Sequence, residues 1–246
     1  MSTNFSRGYV NDCKKMTDSR RNKGIRRKAL DLIAGASFSS AMPLSRTSRS
    51  RTRLFGSPLL EAFTVISAPA FFALWAVVLP AILFVAVRDA PTVWAPMLLM
   101  AGIFGWTVTE YGLHRFAFHF EARSAIMRRF IFIIHGNHHA FPNDPLRNLM
   151  PPIVSLSVGA LVWAVCVSVM GAWGTWSFFG FMLGYVGYDA VHYACHQWPM
   201  KGRLARMLKV HHMRHHHGQA GGNYAITGMV WDRILATRIS VGRGKA

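Results

Sequence analysis

The sequence predicts an all-α integral membrane protein, with four transmembrane or re-entrant helices and a cytosolic helical cap. Three observations predict it. Hydrophobic residues make up 52% of the 246-residue chain and gather in long runs between positions 59 and 182. The basic residues avoid the short connections between those runs. All 12 histidines lie between His114 and His217, each inside a tight cluster.

The apolar runs come first. They cover residues 63–87, 93–113, 152–170 and 173–194. Each is near the ~20 residues that cross a ~30 Å hydrocarbon core as a helix. The helix is forced, because lipid offers no partner to an open backbone group. The first two runs, joined by RDAPT at 88–92, also suit one hairpin that dips into the membrane and returns.

Charge orients them. Of 28 Lys and Arg, 13 precede Pro58 and nine follow Cys195, and the net charge is +18. The connection between the first two runs has one Arg, and that between the last two has none. The positive-inside rule then places both termini and the loop 114–150 on the cytosolic side. That means an inner membrane in a bacterium or the endoplasmic reticulum in a eukaryote. A nucleic-acid partner is not expected, because no reader motif accompanies the charge. Cys13, Cys166 and Cys195 are scattered and form no CxxC, which excludes a disulfide framework and a cysteine metal site.

Three regions result: a basic arm at 1–54, a membrane domain at 55–240 and a short tail at 241–246. The arm includes the low-complexity run SRTSRSRTR at 45–53. Such composition buries too little apolar surface to order itself. A transit peptide and a start at Met42 are the other readings of the arm.

The histidines form four blocks. His114 and His119 end the second run. His135, His138 and His139 follow. His192 and His196 end the fourth run, and His211, His212, His215, His216 and His217 lie in the segment after it. Residues three and four apart share a helical face, so each block is expected to aim two or three imidazoles at one point. Neutral imidazole suits iron, zinc, copper or nickel rather than calcium or magnesium. One ion cannot use ten imidazoles, so two metals are expected in the cap. Carboxylates are scarce, ten in all, yet Glu110, Asp144, Asp189 and Asp232 stand beside the blocks. Asp189, Glu110 and Asp144 are candidates to accept the outer N–H of a ligating imidazole, which fixes its tautomer.

Four segments carry a family likeness: EYGLHRFAFH at 110–119, HGNHHAFPNDPLRNLMPP at 135–152, GYVGYDAVHYACH at 184–196, and LKVHHMRHH at 208–216 followed by Trp231-Asp232. Over residues 55–237 the chain resembles the fatty acid hydroxylase superfamily, and within it the fatty acid 2-hydroxylase branch. The resemblance implies ten metal ligands: His114, His119, His135, His138, His139, His192, His196, His212, His215 and His216. His211 and His217 would be spare. It implies two iron ions, O2 as co-substrate and hydroxylation of a lipid acyl chain at C2. Zinc would fit the same imidazoles in a purified sample. Eukaryotic 2-hydroxylases of the family usually carry an N-terminal cytochrome b5 domain, whereas the arm here has no histidine to hold a haem. Electrons would come from a separate cytochrome b5-like or ferredoxin-like protein. A sterol, carotenoid or ornithine-lipid hydroxylase or desaturase is the alternative within the superfamily. A histidine-rich metal transporter is the remote one, disfavoured because its ionisable residues should line several spans.

Overall fold

The computed structural model describes residues 53–218 and 221–239. The arm as far as residue 52 and the tail 241–246 lie outside the described residues.

A short helix, α1 (Pro58–Ala62), leads to α2 (Ala68–Asp89), whose start is capped by the Ser67 hydroxyl accepting from the Ala70 N–H. The first apolar run is therefore split at 63–67, and its helix begins five residues later than the expected 63. Then come α3 (Ala95–Gly112), a π-helical turn (Leu113–Phe118), α4 (Ala125–Ile131), a second π-helical turn (Phe132–Gly136) and α5 (Asn137–Ala140). After a loop, α6 (Pro152–Met170) and α7 (Gly174–Gln197) form a tight pair. The chain reverses between them at Gly171, whose φ of +60° favours glycine. Last are α8 (Arg203–His217) and α9 (Val230–Ile234). The described residues are helical or irregular, with no strand among them.

Two helical stretches, Ala68–Asp89 and Pro152–Gln197, are long and apolar enough to cross a membrane by length and composition. The second contains both α6 and α7. Large apolar side chains on these helices face outward, among them Val77, Phe84, Leu161 and Val169. A soluble protein would bury them; a lipid-facing surface has no reason to.

Helix α7 is the central element and packs against α2, α3 and α6. Its closest approach is to α3. A Cβ on Gly180 would lie 2.0 Å from the Leu99 carbonyl oxygen, and one on Gly102 would lie 1.9 Å from that of Ser177. Small residues at such a crossing let the two helix backbones touch. Below this crossing an aromatic column forms. Trp106 lies 5.2 Å from Tyr185 and 5.4 Å from Tyr188, ring centre to ring centre, and Tyr188 stacks on His192 at 5.9 Å. The column sets the height at which the histidines of α7 leave the bundle.

Candidate metal centre

The histidines are placed by local helix geometry. His114 and His119 are five residues apart, which on an α-helix puts them about 140° apart. A π-helical turn, bonded i to i+5, brings such a pair to one face. The chain is π-helical from Leu113 to Phe118, and again from Phe132 to Gly136 where His135 sits. The i, i+4 pairs His135/His139, His192/His196 and His212/His216 need no such device.

These elements bring ten histidines into two groups. One holds His114, His119, His135, His139 and His215; the other holds His138, His192, His196, His212 and His216. Within each group the facing nitrogens all lie within 4.8 Å of one another. All ten side chains named from the sequence are there, and His211 and His217 are in neither group. The groups abut, with the rings of His139 and His216 stacked at 4.3 Å.

The blocks at 135–139 and 211–217 each aim two imidazoles at one point, the i, i+4 pair, as expected, and send the third elsewhere. His138 leaves its block for the second group, and His215 leaves its block for the first. The reason is angular. Residues i and i+4 are about 40° apart around a helix, whereas i+3 lies about 60° to the other side. The i, i+4 pair shares a centre, and the i+3 residue reaches across to the neighbour.

The nitrogen separations fit a shared cation. In the first group His135 and His139 Nε2 are 2.9 Å apart, and His215 Nε2 is 3.1 Å from those of His119 and His139. In the second, the spacings are 2.8 Å for His196–His212, 2.9 Å for His192–His138, and 3.0 Å for His138–His216 and His216–His212. Two nitrogens bound to one ion at about 2.1 Å, a right angle apart, sit about 3.0 Å from each other.

Tautomers sharpen the point. His114 Nδ1 lies on the Tyr224 carbonyl at 2.5 Å, His215 Nδ1 on Gly222 at 2.8 Å, and His192 Nδ1 on Asn148 at 3.0 Å. A carbonyl only accepts, so each Nδ1 carries the proton and each Nε2 presents a lone pair. Those lone pairs point into the groups. His114 Nε2 is buried with no hydrogen-bond partner. Burial, reinforced by neighbouring imidazoles, holds His119 at about 3, and burial holds His215 at about 4, against an ordinary 6.5. His135, His138, His139 and His212 are pushed well down by the same causes. Neutral, converging lone pairs repel unless a cation sits among them.

The outer partners are a correction. The three imidazoles rest on backbone carbonyls, not on the carboxylates expected. Asp189 accepts the Met150 N–H at 3.1 Å. Glu110 accepts the Ile226 and Thr227 N–H groups at 2.6 and 3.0 Å. Asp144 accepts the Leu146 N–H at 3.1 Å and faces Arg147 at 3.7 Å. Asp232 accepts the Tyr224 and Ala225 N–H groups at 2.8 and 2.9 Å. The acids thus hold the loops whose carbonyls hold the rings. Asp232 also meets His211 at 3.0 Å, so this histidine, outside both groups, is a buried strut. The carbonyls escaped sequence reasoning because a carbonyl carries no residue signature. Gly222 was the available signal. Its φ is +156°, and a Cβ there would lie 2.3 Å from the Thr237 carbonyl oxygen.

A mainly apolar cavity of about 290 Å³ opens against both groups, reaching His135 of the first and His138 and His192 of the second. Phe63, Phe118, Ile133, Ile134, Met150 and Val154 are among its walls.

Comparison with known proteins matches this architecture. The family model described as fatty acid hydroxylase covers residues 99–237. The ceramide very long chain fatty acid hydroxylase SCS7 of Saccharomyces cerevisiae is 31% identical over 198 residues, covering 76% of this chain and 51% of that protein. The fatty acid 2-hydroxylase of Homo sapiens is 36% identical over 146 residues, 58% of this chain and 39% of that one. The dihydroceramide fatty acyl 2-hydroxylase FAH2 of Arabidopsis thaliana is 31% identical over 150 residues, 57% and 60%. The chain therefore spans between about two fifths and three fifths of these relatives. Among solved structures, full-length scs7p with only its hydroxylase domain visible superposes with a TM-score of 0.70 at 30% identity, over 76% of this chain and 72% of that one.

Proposed function

As the chain belongs to the fatty acid hydroxylase family, we propose that it is a membrane di-iron monooxygenase that hydroxylates a lipid acyl chain at C2, in a fatty acid or a sphingolipid N-acyl group. The observation that carries this reading is the apolar cavity ending on His135, His138 and His192. An acyl chain fits such walls, and its terminal polar group would keep the adjacent carbon near the imidazoles.

In this reading the ten grouped histidines hold two iron ions, which when bound supply the O2 and redox chemistry that side chains lack. The balance is C–H + O2 + 2 e⁻ + 2 H⁺ → C–OH + H2O. The chain's own residues do the rest. The carbonyls of Tyr224, Gly222 and Asn148 orient His114, His215 and His192. Phe118, Ile133 and Ile134 exclude water and grip the acyl chain. The bundle of α2, α3, α6 and α7 spans the membrane, with the histidines and both termini on the cytosolic side, so that a lipid tail enters from the bilayer. Residues 1–41 are dispensable to the catalyst, so a chain starting at Met42 keeps its activity.

The test is lipid mass spectrometry on cells with and without the gene, beside elemental analysis of the purified chain. Accumulation of 2-hydroxyacyl lipid, lost in a His212→Ala strain, is expected. An unchanged acyl profile in a strain whose protein holds both metals would overturn the reading; a product hydroxylated elsewhere would overturn its C2 assignment.

A further inference from the structure

The second histidine group is not fully sealed. His196 and His216 are only half-buried, and the exposed His217 ring lies 6.2 Å from that of His216. His217 also lines an open groove with Lys201, Arg206, Lys209 and Arg214. A neighbouring groove adds Arg203 and Arg238 and shares Arg206 and Arg214. Between Trp198 and Gly218 there are five Lys and Arg and no Asp or Glu. The nearby acid Asp232 is fully buried and engaged by His211. One face of α8 therefore presents concentrated, unbalanced positive charge next to the accessible edge of the second group.

We propose that this face, built from Lys201, Arg203, Arg206, Arg214 and Arg238, docks an acidic, water-soluble one-electron carrier protein, which reduces the centre through the His216–His217 edge. The proposal rests on the hydroxylase reading for its need of electrons: each turnover takes two, so the carrier is oxidised by one electron on each of two visits. Charge of one sign around a groove steers an oppositely charged protein to it. The apolar cavity that reaches the histidines shares no lining residue with either groove, so the two reactants use separate surfaces. An anionic bilayer would meet the same charges, but it would cover the edge and bring no reductant. Helix α4 is better made for lipid, with Ile126 and Phe130 exposed beside Arg128 and Arg129.

The experiment uses the full chain, metal-loaded, in nanodiscs of neutral phosphatidylcholine, with an acidic plant-type ferredoxin as probe. Calorimetry measures ferredoxin affinity at low and high salt for the parent, for R203E/R206E and for R128E/R129E; metal content checks that each is folded. R203E/R206E is expected to weaken binding at least tenfold at low salt. Parent binding is expected to fall steeply as salt rises, which needs no variant to observe. The ratio of ferredoxin-driven to dithionite-driven hydroxylation should fall by a similar factor, while R128E/R129E keeps the parent ratio. Undiminished binding by R203E/R206E, or absence of binding to the parent, would overturn the proposal. So would loss of affinity for phosphatidylserine vesicles with ferredoxin binding intact. Selective loss of ferredoxin binding in a chain that yields no hydroxylated lipid would support the docking face and sink the hydroxylase reading instead.

Discussion

The two histidine groups are similar in composition and different in support. The first leans on the C-terminal loop. Its His114 and His215 rest on the carbonyls of Tyr224 and Gly222, and that loop is pinned by Asp232 and by Glu110 from α3. The second leans on the loop before α6. Its His192 rests on the Asn148 carbonyl, and the loop bearing Asn148 is tied by Asp189, three residues before His192 on the same helix. One group depends on the closure of the C-terminal loop onto the bundle; the other depends on the loop before α6 and its tie to α7. The two should therefore fail separately.

The largest expected effect comes from the rings themselves. His212 is fully buried and belongs to the second group. His212→Ala should reduce bound metal from about two ions per chain to about one, by the count of ligand sets, and abolish hydroxylation. Elemental analysis of the purified variant decides it; full metal occupancy would mean that the second group is not a metal site.

Next is Asp232→Ala. It frees the N–H groups of Tyr224 and Ala225 and removes the partner of His211. Loss of such outer support lowers metal affinity by about 10–100-fold. The loss should fall on the first group. Asp189→Ala should do the same to the second, through Met150. Stepwise chelator titration of the two variants compares them, and identical titration curves would erase the distinction drawn between the groups.

His211→Ala ranks below these. It keeps both groups of five but empties a buried position on Asp232. Activity should persist, with thermal stability reduced by about 1–3 kcal/mol, the cost of leaving a buried polar partner unmet. A His211→Ala protein with one ion missing would place this ring in the first group after all.

The smallest effect is pH dependence in the metal-stripped protein. In the unfolded chain these histidines bind protons near 6.5, whereas folding holds His119 at about 3 and His215 at about 4. Between those values the unfolded state carries more protons. Stability is therefore full above pH 6.5 and lost as pH falls toward 4 and then 3. Thermal melts of the apoprotein should decline across this window, and bound metal should shift the decline to lower pH. A melting temperature that stays flat from 7 to 4 would contradict the burial of these rings.

Much of the site was legible in residue types. Twelve histidines in four blocks, and the i, i+4 spacings of His192/His196 and His212/His216, name the ligand candidates before any fold is known. The helices at 95–112, 152–170 and 174–197 also follow closely from the apolar runs. The first run was less legible, because the Ser67 cap and the break after α1 interrupt an otherwise uniform stretch.

What the sequence by itself determined was the chemistry on offer: apolar runs that need a helix, imidazoles that suit a cation, and a family motif dense enough to name ligand candidates. Tertiary structure decided how the offer is divided. His138 and His215 cross between groups because a three-residue step and a four-residue step turn opposite ways around a helix. The His114/His119 pair shares a face because the helix widens to a π turn just there. The tautomers are set by carbonyls of Tyr224, Gly222 and Asn148, backbone atoms that carry no residue signature. Those choices depend on where loops 110 and 44 residues distant come to rest, and no local pattern encodes that distance.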